Sequence, residues 1–213
     1  MFGLTLSFVS VAETVTFVST NQFGQPLPDV VIEPFTDETI SAADAEPAVM
    51  DQINKRFRPE QLLIQTDRQV DFPNSDNIRH HVYSFSKAKT FELKLYADKP
   101  ESPVAFPKHG VVVLGCNIHD TMIAYIFVSR SESTAVTDKT GQATVSISDS
   151  DEFNIWHKHQ AIGPEQLTTV SLGDLPQNEQ GLYVLQIDIK EPEPTNSFED
   201  TFSGVSQTDQ TSK

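Results

Sequence analysis

Gly115-Cys116-Asn117-Ile118-His119-Asp120-Thr121-Met122 lies between two apolar runs, Val111-Val112-Val113-Leu114 and Ile123-Ala124-Tyr125-Ile126-Phe127-Val128. The segment holds the one cysteine of 213 residues, a histidine three positions later and a methionine three beyond that. The apolar runs read as buried strands, so Cys116, His119 and Met122 share the loop that joins them. A thiolate, an imidazole and a thioether form most of the donor set of a mononuclear copper centre. Such a centre takes two His and one Cys in a trigonal plane, with a long, weak bond to Met. One imidazole is lacking, and the rest of the chain must supply it.

Working outward, 38% of the residues are apolar, and Val, Ile, Phe and Thr are abundant, which favours strands over helices. The length allows a full core and one or two domains. No apolar stretch approaches the length of a membrane-spanning helix. Asp and Glu number 30 against 15 Lys and Arg, a formal charge of −15. That balance argues against nucleic acid, which requires a basic surface. It suits a partner protein with a basic face, held by an attraction that salt weakens. A single Cys excludes an intrachain disulfide, and in an oxidising compartment metal ligation gives a reason to keep an otherwise vulnerable thiol.

Phe2 to Val11 is apolar, and Ser10-Val11-Ala12 has the small-x-small form of an export-signal cleavage site, although no Lys or Arg precedes it. Residues 1–12 read equally as a weak or trimmed signal and as a first β-strand. Thr14 to Ser19 alternates as a strand, the turn-rich segment Asn21 to Asp29 follows, and Val30-Val31-Ile32 is the next strand. Residues 36–47 are acidic and small and are expected to form a linker. Leu62-Leu63-Ile64, Val70-Asp71-Phe72 and His80 to Phe85 are expected strands. Thr90 to Tyr96 alternates so as to place Phe91, Leu93 and Leu95 on one face. Later strands are expected at Gln142 to Ile147, Phe153 to Trp156 and Tyr183 to Ile187. From Glu191 the chain is polar and acidic and is expected to be disordered. Short strands at this spacing, separated by turns, indicate a β-sandwich.

The lacking imidazole is expected in Asn77-Ile78-Arg79-His80-His81-Val82. Here the chain resembles the cupredoxins. In that family an apolar strand runs into an Asn-containing loop, and a ligand His opens the strand that follows. Val70-Asp71-Phe72-Pro73-Asn74, then His80 and Val82, match that register, and Cys116, His119 and Met122 match the amicyanin-type Cys-x-x-His-x-x-Met loop without a gap. The wider run, Arg79 to Ser86 with Leu114 to Asp120, resembles periplasmic proteins labelled methylamine utilization protein. The resemblance covers residues 49–130. It implies an all-β, cupredoxin-like Greek-key β-sandwich and a type 1 (blue) copper site of His80, Cys116, His119 and Met122. It also implies one-electron transfer between extracytoplasmic redox partners, with the exposed edge of His119 as the port. The Asn that usually follows the first ligand is replaced by His81. Strand neighbours point to opposite faces, so only one of His80 and His81 can face the metal; alternation alone does not choose, because both faces carry apolar residues.

The blander readings are an inert core thiol at Cys116, a core-filling Met122 and an ordinary loop His119. His109 sits beside Gly in a turn and is expected to be solvated. His157 and His159 share strand spacing on what is expected to be a solvated face. Zinc accepts Cys and two His but takes Met poorly, and a thiolate-bridged dinuclear copper centre needs a second Cys. A cysteine nucleophile beside His119 lacks a glycine-rich turn or helix start to build an oxyanion hole. The expected role is therefore a carrier and not an enzyme.

The flanks carry a second resemblance. Gly24 to Val31 and Thr137 to Val145 look like the two halves of a carboxypeptidase-regulatory or transthyretin-like β-sandwich. The expected organisation is a discontinuous sandwich at 13–48 and 131–190, interrupted by a cupredoxin domain at 49–130. Such modules mostly bind or space, so the runner-up reading is an extracytoplasmic binding or spacer module with a copper-delivery or vestigial site.

Overall fold

The structure, a computed structural model, describes residues 13–147 and 150–190; the expected signal segment and acidic tail lie outside the described residues. The strands are β1 (Thr14–Asn21), β2 (Val31–Pro34), β3 (Ala48–Val49), β4 (Asp51–Gln52), β5 (Phe57–Arg58) and β6 (Gln61–Gln65). They continue with β7 (Gln69–Asp71), β8 (His80–Phe85), β9 (Thr90–Tyr96), β10 (Val104–Ala105), β11 (Gly110–Gly115) and β12 (Ile123–Ser129). Last come β13 (Ala135–Val136), β14 (Gln142–Ser146), β15 (Glu152–Trp156), β16 (Thr168–Ser171), a 3-10 turn at Leu172–Asp174, and β17 (Tyr183–Ile187). The all-β sandwich expected from the sequence is the fold observed.

Residues 48–129 build a five-stranded sheet in the order β6-β12-β11-β8-β9, opposed by the short sheet β10-β7-β3 and the β4–β5 hairpin. Val112 and Leu114 of β11 and Ala124, Ile126 and Val128 of β12 point into the core between these layers. There they meet Met50, Phe57, Phe72 and Phe106. The remaining strands form two sheets, β14-β1-β17 and β13-β2-β15-β16. Their own core is built on Phe17, Ile32, Val145, Phe153 and Leu185, with the Phe17 ring edge-on to Phe153 at 5.0 Å.

A third cluster explains why β11 and β12 are apolar on both faces. Val111 and Phe127 project outward from the five-stranded sheet onto Val31 and Trp156 of the flanking strands. Trp156 lies 5.7 Å from the Tyr125 ring and 5.9 Å from the Phe127 ring, and its indole N–H donates to the Pro164 carbonyl at 2.8 Å. A strand covered on both sides reads as a continuous apolar run, which is how these two read in the sequence.

One expectation is refined and one corrected. Residues 36–47 link β2 to β3 without a strand of their own, as expected of a linker, but they are tied down. The Ile40 amide donates to the Arg130 carbonyl at 3.1 Å and the Ala42 amide to the Thr66 carbonyl at 2.8 Å, laying the segment along the sandwich edge. In β9, Leu95 is exposed, and Tyr96 packs on the core beside Phe91 and Leu93. The cause is a β-bulge: β8 pairs His80 with Tyr96 but Val82 with Leu93, so the inside–outside alternation of β9 slips by one at its end.

Candidate metal centre

β8 and β11 are antiparallel neighbours, so the start of β8 and the end of β11 lie at the same end of the sheet, as does the start of β12. His80 opens β8, Cys116 follows β11 directly, and the loop to Ile123 carries His119. The three converge: one ligand atom from each of His80, Cys116 and His119 lies within 4.8 Å of the others. Cys116 Sγ is 3.9 Å from His80 Nδ1 and 3.8 Å from His119 Nδ1. The imidazole rings are 5.1 Å apart, centre to centre.

Alternation along β8 decides between the two histidines. His80, Val82 and Ser84 are buried, whereas His81 points outward, its Nε2 3.0 Å from Glu92 Oε1 and its ring 5.6 Å from Tyr83. Cys116 is buried and His119 is part-exposed. Met122 is fully buried in the same core cluster as Cys116, and its amide donates to the His119 carbonyl at 2.9 Å, which closes the loop into a tight turn.

The His80 ring is held from behind. Its Nε2–H donates to Asp76 Oδ2 at 2.7 Å, leaving the Nδ1 lone pair facing the sulfur. Asp76 is itself fixed: Oδ1 accepts the Asn54 amide at 2.6 Å and Oδ2 the Lys55 amide at 2.8 Å. These two residues are the centre of the β4–β5 turn and both have positive φ, 54° and 57°, the type I′ conformation that suits the twist of a two-residue hairpin. Asn74 cages the same loop, its side chain accepting the Asp76 amide and donating to the Ile78 and Tyr96 carbonyls. Burial raises the Asp76 pKa, but the Lys55 amide, His80 and the Asn54 amide outweigh it and hold the carboxyl below its ordinary range. Burial, helped by His80 and Lys55, likewise holds the His119 imidazole below its ordinary range, which keeps a nitrogen lone pair available.

The donor spacing fits a metal ion. With bonds of about 2.1 Å to nitrogen and about 2.3 Å to sulfur, a trigonal ion requires nitrogen–sulfur separations of about 3.8 Å. Both observed separations lie within 0.1 Å of that figure. The thiol is buried, and each imidazole presents a nitrogen to it.

Gly115 is demanded by this packing. A Cβ there would lie 2.8 Å from the Tyr83 ring, so the aromatic side chain of β8 rests on the bare backbone just before Cys116.

The other histidines differ from expectation. His109 is not solvated: its Nε2 donates to Glu33 Oε2 at 2.8 Å, and Glu33 is buried in β2. His157 lies in the turn after β15 and is buried, whereas His159 is exposed; their rings are 5.7 Å apart and share no strand face. Sequence reasoning missed Asp76 and Glu33. Asp76 stands four residues before His80, but in a loop that spacing has no fixed geometric meaning.

No family model matches the chain, and no curated protein does. Solved structures do resemble it in part. The copper-containing nitrite reductase of Thermus scotoductus SA-01 is 21% identical over 43% of this chain, with a TM-score of 0.39, and the match spans 27% of the reductase's length. The purple cupredoxin of Nitrosopumilus maritimus is 19% identical over 38% of this chain and 99% of its own, with a TM-score of 0.35. An amicyanin variant in its reduced Cu(I) form at pH 4 is 18% identical over 46% of this chain and 98% of its own, with a TM-score of 0.34.

Proposed function

We propose that this chain is a mononuclear copper protein that carries single electrons between extracytoplasmic redox partners. His80, Cys116 and His119 would hold the ion, with Met122 as a further, weaker donor. The observation that carries this reading is the pair of nitrogen–sulfur separations, 3.9 and 3.8 Å, at a buried thiolate donor. When bound, copper supplies a one-electron couple between Cu(II) and Cu(I).

The protein's part is to hold the donors still. The sheet sets His80 and Cys116, the closed 116–122 turn sets His119, and the Asp76 contact keeps His80 in the tautomer that presents Nδ1. Donors fixed before the ion arrives need little rearrangement when its charge changes. Binding the ion takes Cys116 as thiolate and releases its proton. Burial of the sulfur and of Met122 excludes water, and the part-exposed His119 gives an electron the shortest way out. The groups described around the thiol are the two imidazoles and apolar side chains, a donor set that suits holding an ion, and we read the protein as a carrier and not an enzyme. In this reading residues 49–130 are a cupredoxin domain inserted into a discontinuous sandwich, which serves as its mount, and the protein works in the periplasm.

Voltammetry of the copper-loaded protein tests it. A reversible one-electron couple that disappears in Cys116→Ser is expected. A protein that retains Cu(I) only and shows no couple would move the role to copper delivery.

A further inference from the structure

The β4–β5 hairpin and the loop that carries Asp76 are stitched into one unit. The Gln52 amide donates to the Pro73 carbonyl at 3.1 Å, and the Ser75 amide to the Gln52 carbonyl at 3.0 Å. Asp51 Oδ2 accepts the Ser75 hydroxyl at 2.8 Å. Met50 and Phe57 are buried in the core on either side of the hairpin, so its base is anchored while its tip, Ile53 to Arg56, is exposed. Ile53 and Arg56 exchange amide–carbonyl bonds of 2.9 and 3.2 Å, which leaves Asn54 and Lys55 as the turn. The type I′ conformation requires positive φ at both. Asn enters that region readily, whereas Lys enters it at a steric cost.

That conformation aims the two amides. Consecutive N–H groups of such a turn form a concavity that suits an anion, and the Asp76 carboxylate fills it. Oδ1 accepts the Asn54 amide at 2.6 Å, while Oδ2 accepts both the Lys55 amide at 2.8 Å and His80 Nε2–H at 2.7 Å. Rotating the carboxylate would break both amide bonds, so the turn fixes the direction from which Oδ2 receives the imidazole. The aim of His80 Nδ1 at the Cys116 sulfur follows from it. The Asp76 side chain is 13% exposed, so water would replace lost amides without fixing any direction. The Lys55 ammonium has no part in this contact. Among the described residues it is in no ion pair, although its charge contributes to the lowered pKa of His119.

We propose that the Asn54-Lys55 turn is a positioning element for the His80 ring, and that the left-handed backbone of Lys55, not its charge, carries the role. Its effect on metal affinity rests on the copper reading above; its effect on the imidazole does not. Neither residue is a ligand, and they stand more than twenty positions before His80 in the chain.

Lys55→Gly and Lys55→Val test this, because they remove the same charge and move the backbone preference in opposite directions. Gly enters the left-handed region freely and makes the turn an Asn-Gly pair, whereas a β-branched Val is a clear outlier there. The first readout needs no copper. In folded apoprotein the 15N shifts of the His80 ring should keep the Nε2–H form in Lys55→Gly and move towards the other tautomer in Lys55→Val. Lys55→Ala, intermediate in this preference, should fall between them. The second readout is competition for copper against a chelator. Lys55→Val should bind roughly tenfold more weakly than Lys55→Gly, the lower end of the effect of losing a carboxylate behind a ligand histidine. In the Asp76→Asn background the two should differ by less than about twofold, since the turn then has no carboxylate to hold. Identical His80 shifts in the Gly and Val variants overturn the proposal, as does an affinity difference that persists undiminished in Asp76→Asn. If the parent does not hold copper through Cys116 while the His80 shifts still separate the Val variant from the Gly variant, the copper reading has failed and the positioning role stands.

Discussion

Replacing Glu33 by Gln should destabilise the protein by about 3 kcal/mol, at the low end of the range for breaking a buried charge pair. The carboxylate is 1% exposed and accepts four hydrogen bonds. Ser129 Oγ and the Arg130 amide donate to Oε1, each at 2.8 Å. His109 Nε2 and Asn154 Nδ2 donate to Oε2, at 2.8 and 3.1 Å. Ser129 ends β12 of the metal-bearing sheet and Arg130 and His109 adjoin its strands, while Glu33 and Asn154 belong to the flanking sheet, so the carboxylate ties the two together. A Gln amide has one acceptor oxygen and turns an NH2 towards two of the four donors, and hydrogen bonds to a charged acceptor are worth about 1.5–3 kcal/mol each. For a chain of this size, 3 kcal/mol lowers Tm by roughly 6–12 °C. Urea unfolding at pH 7, followed by the fluorescence of the single Trp156 at that interface, reads it directly. Acid gives a second readout. Burial raises the Glu33 pKa, but the His109, Arg130 and Asn154 contacts overcome it and leave the folded value below the ordinary 4.5. The unfolded chain therefore binds the proton first, and the stabilisation is present above pH 4.5 and lost as pH falls through the folded value. Glu33→Gln should lack that acid loss. A variant within about 0.5 kcal/mol of the parent, with the same pH profile, refutes the assignment of Glu33 as the tie.

Asp76→Asn should weaken copper binding roughly 10- to 100-fold, the usual effect of removing a carboxylate behind a ligand histidine, with Asp76→Glu partly restoring it; competition against a chelator of known affinity measures both. In the apoprotein the same change should shift the His80 ring nitrogens away from the Nε2–H tautomer, read by 15N chemical shifts. Gly115→Ala should cost about 1–3 kcal/mol as the Tyr83 ring is displaced, and pairing it with Tyr83→Leu should recover most of the loss in urea melts. His157 is held to a pKa of about 4 by burial and by the nearby His159 and Lys158. The unfolded chain therefore takes up this proton first, so His157 contributes a loss of stability as pH falls from about 6.5 to about 4; His157→Gln should flatten that stretch of the stability–pH curve.

Strand positions were legible in the sequence wherever a run of β-branched and aromatic residues met turn residues at both ends, as at β8 and β12. The convergence of His80, Cys116 and His119 was legible through their placement at strand ends, because antiparallel neighbours bring the beginning of one strand to the end of the next. Local pattern failed where geometry came from another part of the chain. The slip that exposes Leu95 and buries Tyr96 lies in the pairing of β9 with β8, which alternation within β9 cannot reveal. His109 beside Gly110 looks like a turn residue until Glu33, 76 positions away, is folded against it. Asp76 is held by amides of the Asn54-Lys55 turn, which lacks the Asn-Gly signature that marks most type I′ hairpins.

The most direct test of the central claim is a titration of the purified protein with Cu(II), following visible absorption and free thiol together. If a buried Cys116 thiolate is a short in-plane ligand beside His80 and His119, an intense thiolate-to-copper band should grow to one equivalent as the thiol becomes unreactive, and Cys116→Ser should abolish the band. Copper that binds without that band, or a band that survives the loss of the sulfur, contradicts the account.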